Sequence, residues 1–312
     1  MGKVAFIFSG QGAQYVGMGK ELAENIKVCK EVFDKADESL RFNISKICFE
    51  GSKDELDKTE NTQPAILTTS IAALKAIEEK GIKCDIAAGL SLGEYSALVC
   101  SGALEFTEAV KLVKKRGKFM QEAVPQGLGT MAAIIGLDAE IVQECCKKAS
   151  EKGIVEVANY NCPGQIVIAG EVKAVEFAVE LLKEKNARKT IFLEVSGPFH
   201  TSMLKQASDK LYEELQEVKI SKLQIPVVTN VTGDYIKNES SIKENLRLQV
   251  MSSVMWEHTI NIMIRDGVDT FIEIGPGRVL SGFVKKVNRR LKVYNVEDIK
   301  SLEKTINSLI EQ

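Results

Sequence analysis

Short apolar runs along the chain alternate with longer stretches whose apolar residues recur at helical spacing. Residues 4–8 are an unbroken apolar run ending in Ser9-Gly10-Gln11-Gly12, which predicts a buried strand followed by a flexible turn. Helical patterns follow, broken near Gly51 and again before Pro64. Residues 65–79 predict an apolar helix stopped by Gly81, 85–89 a short strand, and 94–100 a helix ended by Gly102. In 105–123 the periodicity is clearest. Ala109, Val113, Arg116 and Met120 share one face, and Lys111, Lys114, Lys115 and Lys118 occupy the other. Arg116 therefore sits on the apolar stripe, where a charge is costly unless paired.

After Pro125 and Gly127 the rhythm changes. Strands are predicted at 130–135, 154–159, 165–169 and 189–195, with helices at 139–152 and 172–185. That order, β-α-β-β-α-β, matches a ferredoxin-like unit. Beyond the turn Ser196-Gly197-Pro198 come a helix at 201–218, a strand at 225–230 and helices at 242–250 and 256–266. A strand at 270–274 closes on Gly275-Pro276-Gly277 and leads into a basic helix. Strands alternating with helices predict an α/β fold with a mostly parallel sheet covered on both faces. The expected division is a larger domain of residues 1–126 and 196–312, with a ferredoxin-like small domain, 127–195, inserted in it.

Composition adds mainly exclusions. With 312 residues, 45% apolar, 27% charged and a net charge of −2, the chain has ordinary globular makeup, with no global bias toward nucleic acid or a membrane surface. The seven cysteines include no C-x-x-C pair, which argues against a zinc or redox motif. Their odd number and the absence of a secretory leader point to reduced thiols in the cytoplasm.

Two features carry chemistry. Gly89-Leu90-Ser91-Leu92-Gly93 fits G-x-S-x-G between a predicted strand and a predicted helix, the setting of a nucleophile elbow. There the Leu92 amide would point toward a developing oxyanion at the helix N-terminus. The alternative is a Gly-Ser turn with Ser91 capping the helix. A serine hydroxyl needs a base, and the chain has only two histidines. His200 follows a strand end, where α/β sheets place their sites. His258 lies within a helical pattern and reads as a packed or partly exposed position. No orienting acid stands out, which leaves a dyad with its imidazole held by a backbone carbonyl as one option. Arg116 would suit a carboxylated acyl group through bidentate hydrogen bonds, or else a structural Asp or Glu. An esterase or thioesterase using the same dyad is the main rival. A nucleotide-binding reading of Ser9-Gly10-Gln11-Gly12 fails because Tyr15 stands where the third glycine belongs.

Taken together, Phe8-Ser9-Gly10-Gln11-Gly12-Ala13-Gln14, Asn61-Thr62-Gln63-Pro64-Ala65, Gly89-Leu90-Ser91-Leu92-Gly93-Glu94-Tyr95, Arg116-Gly117, Asn159-Tyr160-Asn161-Cys162-Pro163-Gly164-Gln165, Gly197-Pro198-Phe199-His200, Gln249 with Trp256, and Glu273-Ile274-Gly275-Pro276-Gly277 resemble the malonyl-CoA:acyl carrier protein transacylases over nearly the whole chain. The resemblance implies a hydrolase-like large domain with a ferredoxin-like insert. It implies Ser91 as nucleophile, His200 as base, and Gln11 with the Leu92 amide at the oxyanion. It also implies Arg116 on the malonyl carboxylate, Gln249 holding His200 through its carbonyl, Asn161 near the pocket and Phe199 beside the acyl α-carbon. Ser253 and Met255 depart from the proline and the basic or polar residue common in the family between Gln249 and Trp256. The expected partners are malonyl-CoA and acyl carrier protein, with no bound cofactor or metal, in a cytoplasmic monomer. The lysine face at 111–118 and the cluster Lys285, Lys286, Arg289 and Arg290 are candidate docking surfaces for an acidic carrier protein, or simply solvated helix faces.

Overall fold

A computed structural model describes residues 2–125, 127–195 and 197–310. Five strands, β1 (Lys3–Phe8), β2 (Ile86–Gly89), β7 (Val227–Val228), β8 (Val268–Ile274) and β9 (Lys292–Val296), form one sheet in the order β7-β2-β1-β8-β9. Every neighbouring pair in it is parallel. Side chains of β1 alternate between its two faces, as strand geometry requires. Phe6 and Phe8 join a core with helices Lys27–Leu40, Thr59–Glu79 and Phe106–Ala123. Ala5 and Ile7 join another with helices Trp256–Arg265 and Val279–Val287. Both faces of β1 are thus buried, which is why residues 4–8 read as an unbroken apolar run.

The second sheet is antiparallel, in the order β4-β5-β3-β6, from β3 (Gly129–Ile135), β4 (Val155–Cys162), β5 (Gln165–Glu171) and β6 (Lys189–Phe192). Helices Ala139–Ala149 and Val172–Glu184 cover one face with Val142, Val175, Ala178 and Val179 against Ile134 and Ile168. The other face sends Met131, Ala133, Val167 and Ala169 into the main core. The expected β-α-β-β-α-β order is present, with a one-turn 3₁₀ segment at Ser150–Lys152. The expected domain boundaries at Gln126 and Ser196 lie outside the described residues.

Several expectations need correction. The helix expected to start after Pro64 begins at Thr59 and runs through the proline. Nearly all of its first three turns is buried, and Thr62 Oγ1 donates to Leu56 O (2.6 Å) and Lys58 O (3.1 Å), so packing overrides the proline's local cost. The strand expected at 225–230 shrinks to Val227–Val228, and the helix expected from 201 begins at Lys205. β9 and the closing helix Ile299–Ile310 were not anticipated. β9 is an edge strand that opens on exposed Lys292 and half-buried Val293 and Tyr294, so its apolar pattern is weak.

Candidate active site

At the end of β2 the chain turns sharply into helix Gly93–Cys100, with Ser91 at the apex. A Cβ at Gly89 would collide with the Gly93 backbone, and one at Gly93 with the Phe8 carbonyl, so the motif's glycines are steric necessities. Ser91 itself has φ 52°, a left-handed conformation that costs a non-glycine residue about 1–3 kcal/mol. Asn230 holds it there. The Ser91 amide donates to Asn230 Oδ1 (2.5 Å), and Asn230 Nδ2 donates to Gly89 O (2.7 Å), so one side chain clamps both sides of the bend.

His200 lies 109 residues further on, yet its Nε2 is 2.8 Å from Ser91 Oγ. Its Nδ1 is 2.8 Å from the Gln249 carbonyl oxygen, which accepts only if Nδ1 carries the proton. That tautomer leaves Nε2 as an acceptor for the serine hydroxyl, the arrangement of a general base. No carboxylate is needed to orient the ring. His200 is also left-handed, at φ 63°, in a turn braced by Thr201 Oγ1 donating to Pro198 O (2.7 Å) and by Ser202 donating from its amide to Glu156 (2.8 Å). Burial first, and the Arg116 charge second, push the imidazole from 6.5 down to about 4, against the pull of its backbone partner. It is therefore neutral at physiological pH.

Arg116 is 1% exposed, and its guanidinium meets Ser91 Oγ (3.2 Å), Gln249 Oε1 (2.9 Å) and Gln63 Oε1 (2.9 Å). All three acceptors are neutral, and none of the ion pairs among the described residues includes Arg116. Its Nε has no hydrogen-bond partner there either. A structural Asp or Glu bonded directly to Arg116, the alternative left open by the sequence, is not what the structure shows. The Tyr95 ring faces the guanidinium carbon at 5.4 Å from its centroid.

A cavity of about 480 Å³ opens over the dyad. Gln11, Ser91, Asn161, Phe199 and His200 line it; Leu92, Arg116 and Gln249 are not among its lining residues. Leu92 is the N-cap residue of helix Gly93–Cys100, directly after the serine. Gln11 stands across the cavity on the turn after β1, with Nε2 3.4 Å from Thr59 Oγ1. Asn161 falls at an irregularity in the β4–β5 register and is buried with Oδ1 unpartnered, as a bulge re-aiming a side chain would leave it. Cys162 beside it is fully buried, and burial pushes its thiol up to about 11. His258 is exposed on its helix and is not among the cavity's lining residues.

Sequence reasoning missed Gln63, Glu94 and Asn230 as parts of this site. Gln63 and Glu94 stood inside motifs already singled out, but nothing local marks an amide or carboxylate as facing inward. Asn230 lies in a turn two residues beyond β7, 139 residues from its partner amide, and spacing alone could not join them.

A serine on a strand–turn–helix bend, a histidine nitrogen 2.8 Å from its hydroxyl and a guanidinium 3.2 Å from the same oxygen form the arrangement that serine acyl transfer requires. The acyl transferase domain family matches residues 5–306. The chain is 53% identical to the malonyl CoA-acyl carrier protein transacylase of Bacillus subtilis (strain 168), covering 100% of this chain and 99% of that one. With the transacylase of Escherichia coli (strain K12) it shares 42% identity, covering 92% and 93%. The solved transacylase of Clostridium perfringens Atcc 13124 superposes with a TM-score of 0.97 at 53% identity, covering 99% of this chain and 98% of that one. The chain belongs to the malonyl CoA-acyl carrier protein transacylase family.

Proposed function

We propose that the protein transfers malonyl from malonyl-CoA to the phosphopantetheine thiol of acyl carrier protein through an ester on Ser91. His200 takes the Oγ proton as Oγ attacks the thioester carbonyl. The Leu92 amide and Gln11 meet the oxyanion, the C–S bond breaks, and the proton passes from His200 to the leaving coenzyme A sulfur. The carrier thiol then runs the same steps in reverse, a ping-pong course in which the chain's own residues do the chemistry. Supporting the carrier partner, a solved complex of a type II PKS acyl-carrier protein with its malonyl-transacylase, PlMCAT:AntF, is similar to this chain with a TM-score of 0.95 at 40% identity, covering 98% and 99%.

The observation that carries this reading is Arg116, a buried cation bonded only to neutral groups and 3.2 Å from the nucleophile's oxygen. A malonyl carboxylate would give the guanidinium a directly bonded anion, whereas a neutral acyl chain would not. Intact-mass spectrometry tests it. Wild type mixed with malonyl-CoA should gain one malonyl mass and lose it when carrier protein is added, with malonyl-carrier as product. Free malonate formed at full rate without carrier would make the protein a hydrolase instead.

Phe199 is buried beside His200 in the cavity wall. We expect Phe199→Ser to open room at the acyl α-carbon and raise methylmalonyl loading relative to malonyl about tenfold, the low end for one extra carbon. A two-substrate competition assay reads the ratio, and an unchanged ratio removes Phe199 from selectivity.

For carrier docking the two basic clusters differ. Lys111 and Lys115 are each 2.5 Å from a carboxylate, on Glu108 and Glu214, and Lys114 lies over the Phe42 ring at 3.6 Å. That face is largely neutralised by its own chain. Lys286 instead donates to Gln165 Oε1 (2.7 Å) on the cavity wall, and Arg289 and Arg290 are exposed just beyond helix Val279–Val287. Lys285 caps the carbonyls of Arg289 and Leu291, which gives it a structural duty. Docking is accordingly assigned to the rim around Lys286.

The architecture supports a hydrolase-like domain of residues 1–126 and 196–312 carrying the dyad. It supports a ferredoxin-like insert, 127–195, whose strand order matches that fold. A cytoplasmic monomer completes the proposal.

A further inference from the structure

Beneath the dyad, one carboxylate oxygen joins two chains of hydrogen bonds. Glu94 is fully buried on the first turn of helix Gly93–Cys100. Its Oε2 accepts from Gln249 Nε2 (2.6 Å) and from the Asn230 amide (3.0 Å). Through Gln249 the first chain reaches the substrate-binding charge: Gln249 Oε1 accepts from Arg116 (2.9 Å), and Nε2 also donates to Ser91 O (3.0 Å). Through Asn230 the second reaches the nucleophile, whose amide donates to Asn230 Oδ1.

The Gln249 amide can satisfy these neighbours in one orientation only. Flipped, its NH₂ would face the guanidinium, donor against donor, and its oxygen would face the Glu94 carboxylate and the Ser91 carbonyl. A carboxylate is acceptor-only, so Glu94 forces the choice. It also supplies a negative charge close to Arg116 without touching it, the Gln249 amide lying between them. No cation lies within ion-pair distance of Glu94 among the described residues. Burial raises the Glu94 carboxyl above the usual carboxylate range, and the hydrogen bonds from Asn230 and Gln249 together with the Arg116 charge pull the other way.

We infer that Glu94 is a positioning residue for acyl-group selection. By locking the Gln249 amide it aims the Arg116 guanidinium toward the space beside Ser91 Oγ, and a direct Arg–Glu pair is avoided, so the guanidinium stays open to an incoming carboxylate. The inference rests on the malonyl reading above. A direct ion pair would compete with substrate, whereas an amide relay satisfies the buried cation and can be partly displaced.

The test compares wild type with Glu94→Gln, measuring acyl-enzyme formation from malonyl-CoA and from acetyl-CoA, together with a thermal melt. Glutamine keeps the size but can rotate either way, so the Gln249 amide is no longer fixed. The malonyl-to-acetyl ratio of kcat/KM should fall about 10- to 100-fold, the size of one charge-assisted hydrogen bond. The malonyl KM should rise more than kcat falls, and acetyl loading should fall far less than malonyl loading. A general loss of packing would lower both substrates together and leave the ratio where it was, and that outcome overturns the inference. If Glu94→Gln does not fold, Gln249→Leu carries the test, because it removes the relay but keeps the backbone carbonyl that holds His200. It should show the same fall in ratio, and a folded Gln249→Leu with unchanged ratio also overturns the inference. Wild type that loads no malonyl would instead sink the proposed function, so the two failures are distinct.

Discussion

Ser91→Ala should take up no malonyl group, and His200→Ala should load it ~10,000-fold more slowly than wild type, the upper end for losing a general base, with both variants folded. The serine hydroxyl oxygen contacts both the imidazole and the guanidinium, at 2.8 and 3.2 Å. Without the imidazole, the hydroxyl proton has no acceptor on that side. The imidazole's depression to about 4 adds a second signature. The neutral form is the active one, so kcat/KM should stay level as pH falls through 6.5 and drop only near about pH 4. The sign for stability is the same. A folded value below the unfolded 6.5 means that His200 contributes stability present above that pH and lost as pH falls toward about 4. Rates in acid therefore need a melting curve beside them. An acid limb centred near 6.5 in fully folded enzyme would contradict the assignment of His200 as the buried base.

Arg116→Ala should cut malonyl loading about 100-fold or more, the size of two charge-assisted hydrogen bonds, while acetyl loading holds or improves. The buried guanidinium has nothing to offer a neutral acyl chain, and its charge makes His200 harder to protonate. Removing it should thus also move the acid limb upward, toward the ordinary imidazole range. A bound malonyl carboxylate would have a similar effect by neutralising Arg116, so the proper substrate strengthens the base that takes the Ser91 proton. Competition between malonyl-CoA and acetyl-CoA, followed by mass, measures the switch. If Arg116→Ala kept the wild-type preference, the carboxylate would have to be bound elsewhere.

Some of this site was legible in the sequence for physical reasons. G-x-S-x-G between a strand and a helix announces a bend that only glycines tolerate, and the collisions at Gly89 and Gly93 bear that out. Two histidines left little choice of base. Arg116 betrayed itself by standing on the apolar face of helix Phe106–Ala123, where it is indeed buried. The resemblance to the family supplied Gln249 as the holder of His200, and the 2.8 Å contact agrees with it.

What local pattern could not convey is pairing across distance. Glu94 and Asn230 are 136 residues apart, and Gln249 lies 155 residues from Glu94. Nothing in their neighbourhoods shows that they meet, because hydrogen-bond partners in a core are chosen by topology. The edge strand β9 escaped for a related reason: partly exposed, it carries little of the apolar signal that marks β1 and β8.

By itself the sequence determined the kinds of groups available, the order of the elements and the sharp turn at Ser91, since these depend on side-chain chemistry and short-range sterics. The tertiary structure alone decided which buried groups face one another. It placed the amide of Gln249 between Glu94 and Arg116, leaving the cation without a carboxylate of its own, because a parallel sheet brings distant strand ends to one edge and the low-dielectric interior there makes each pairing count.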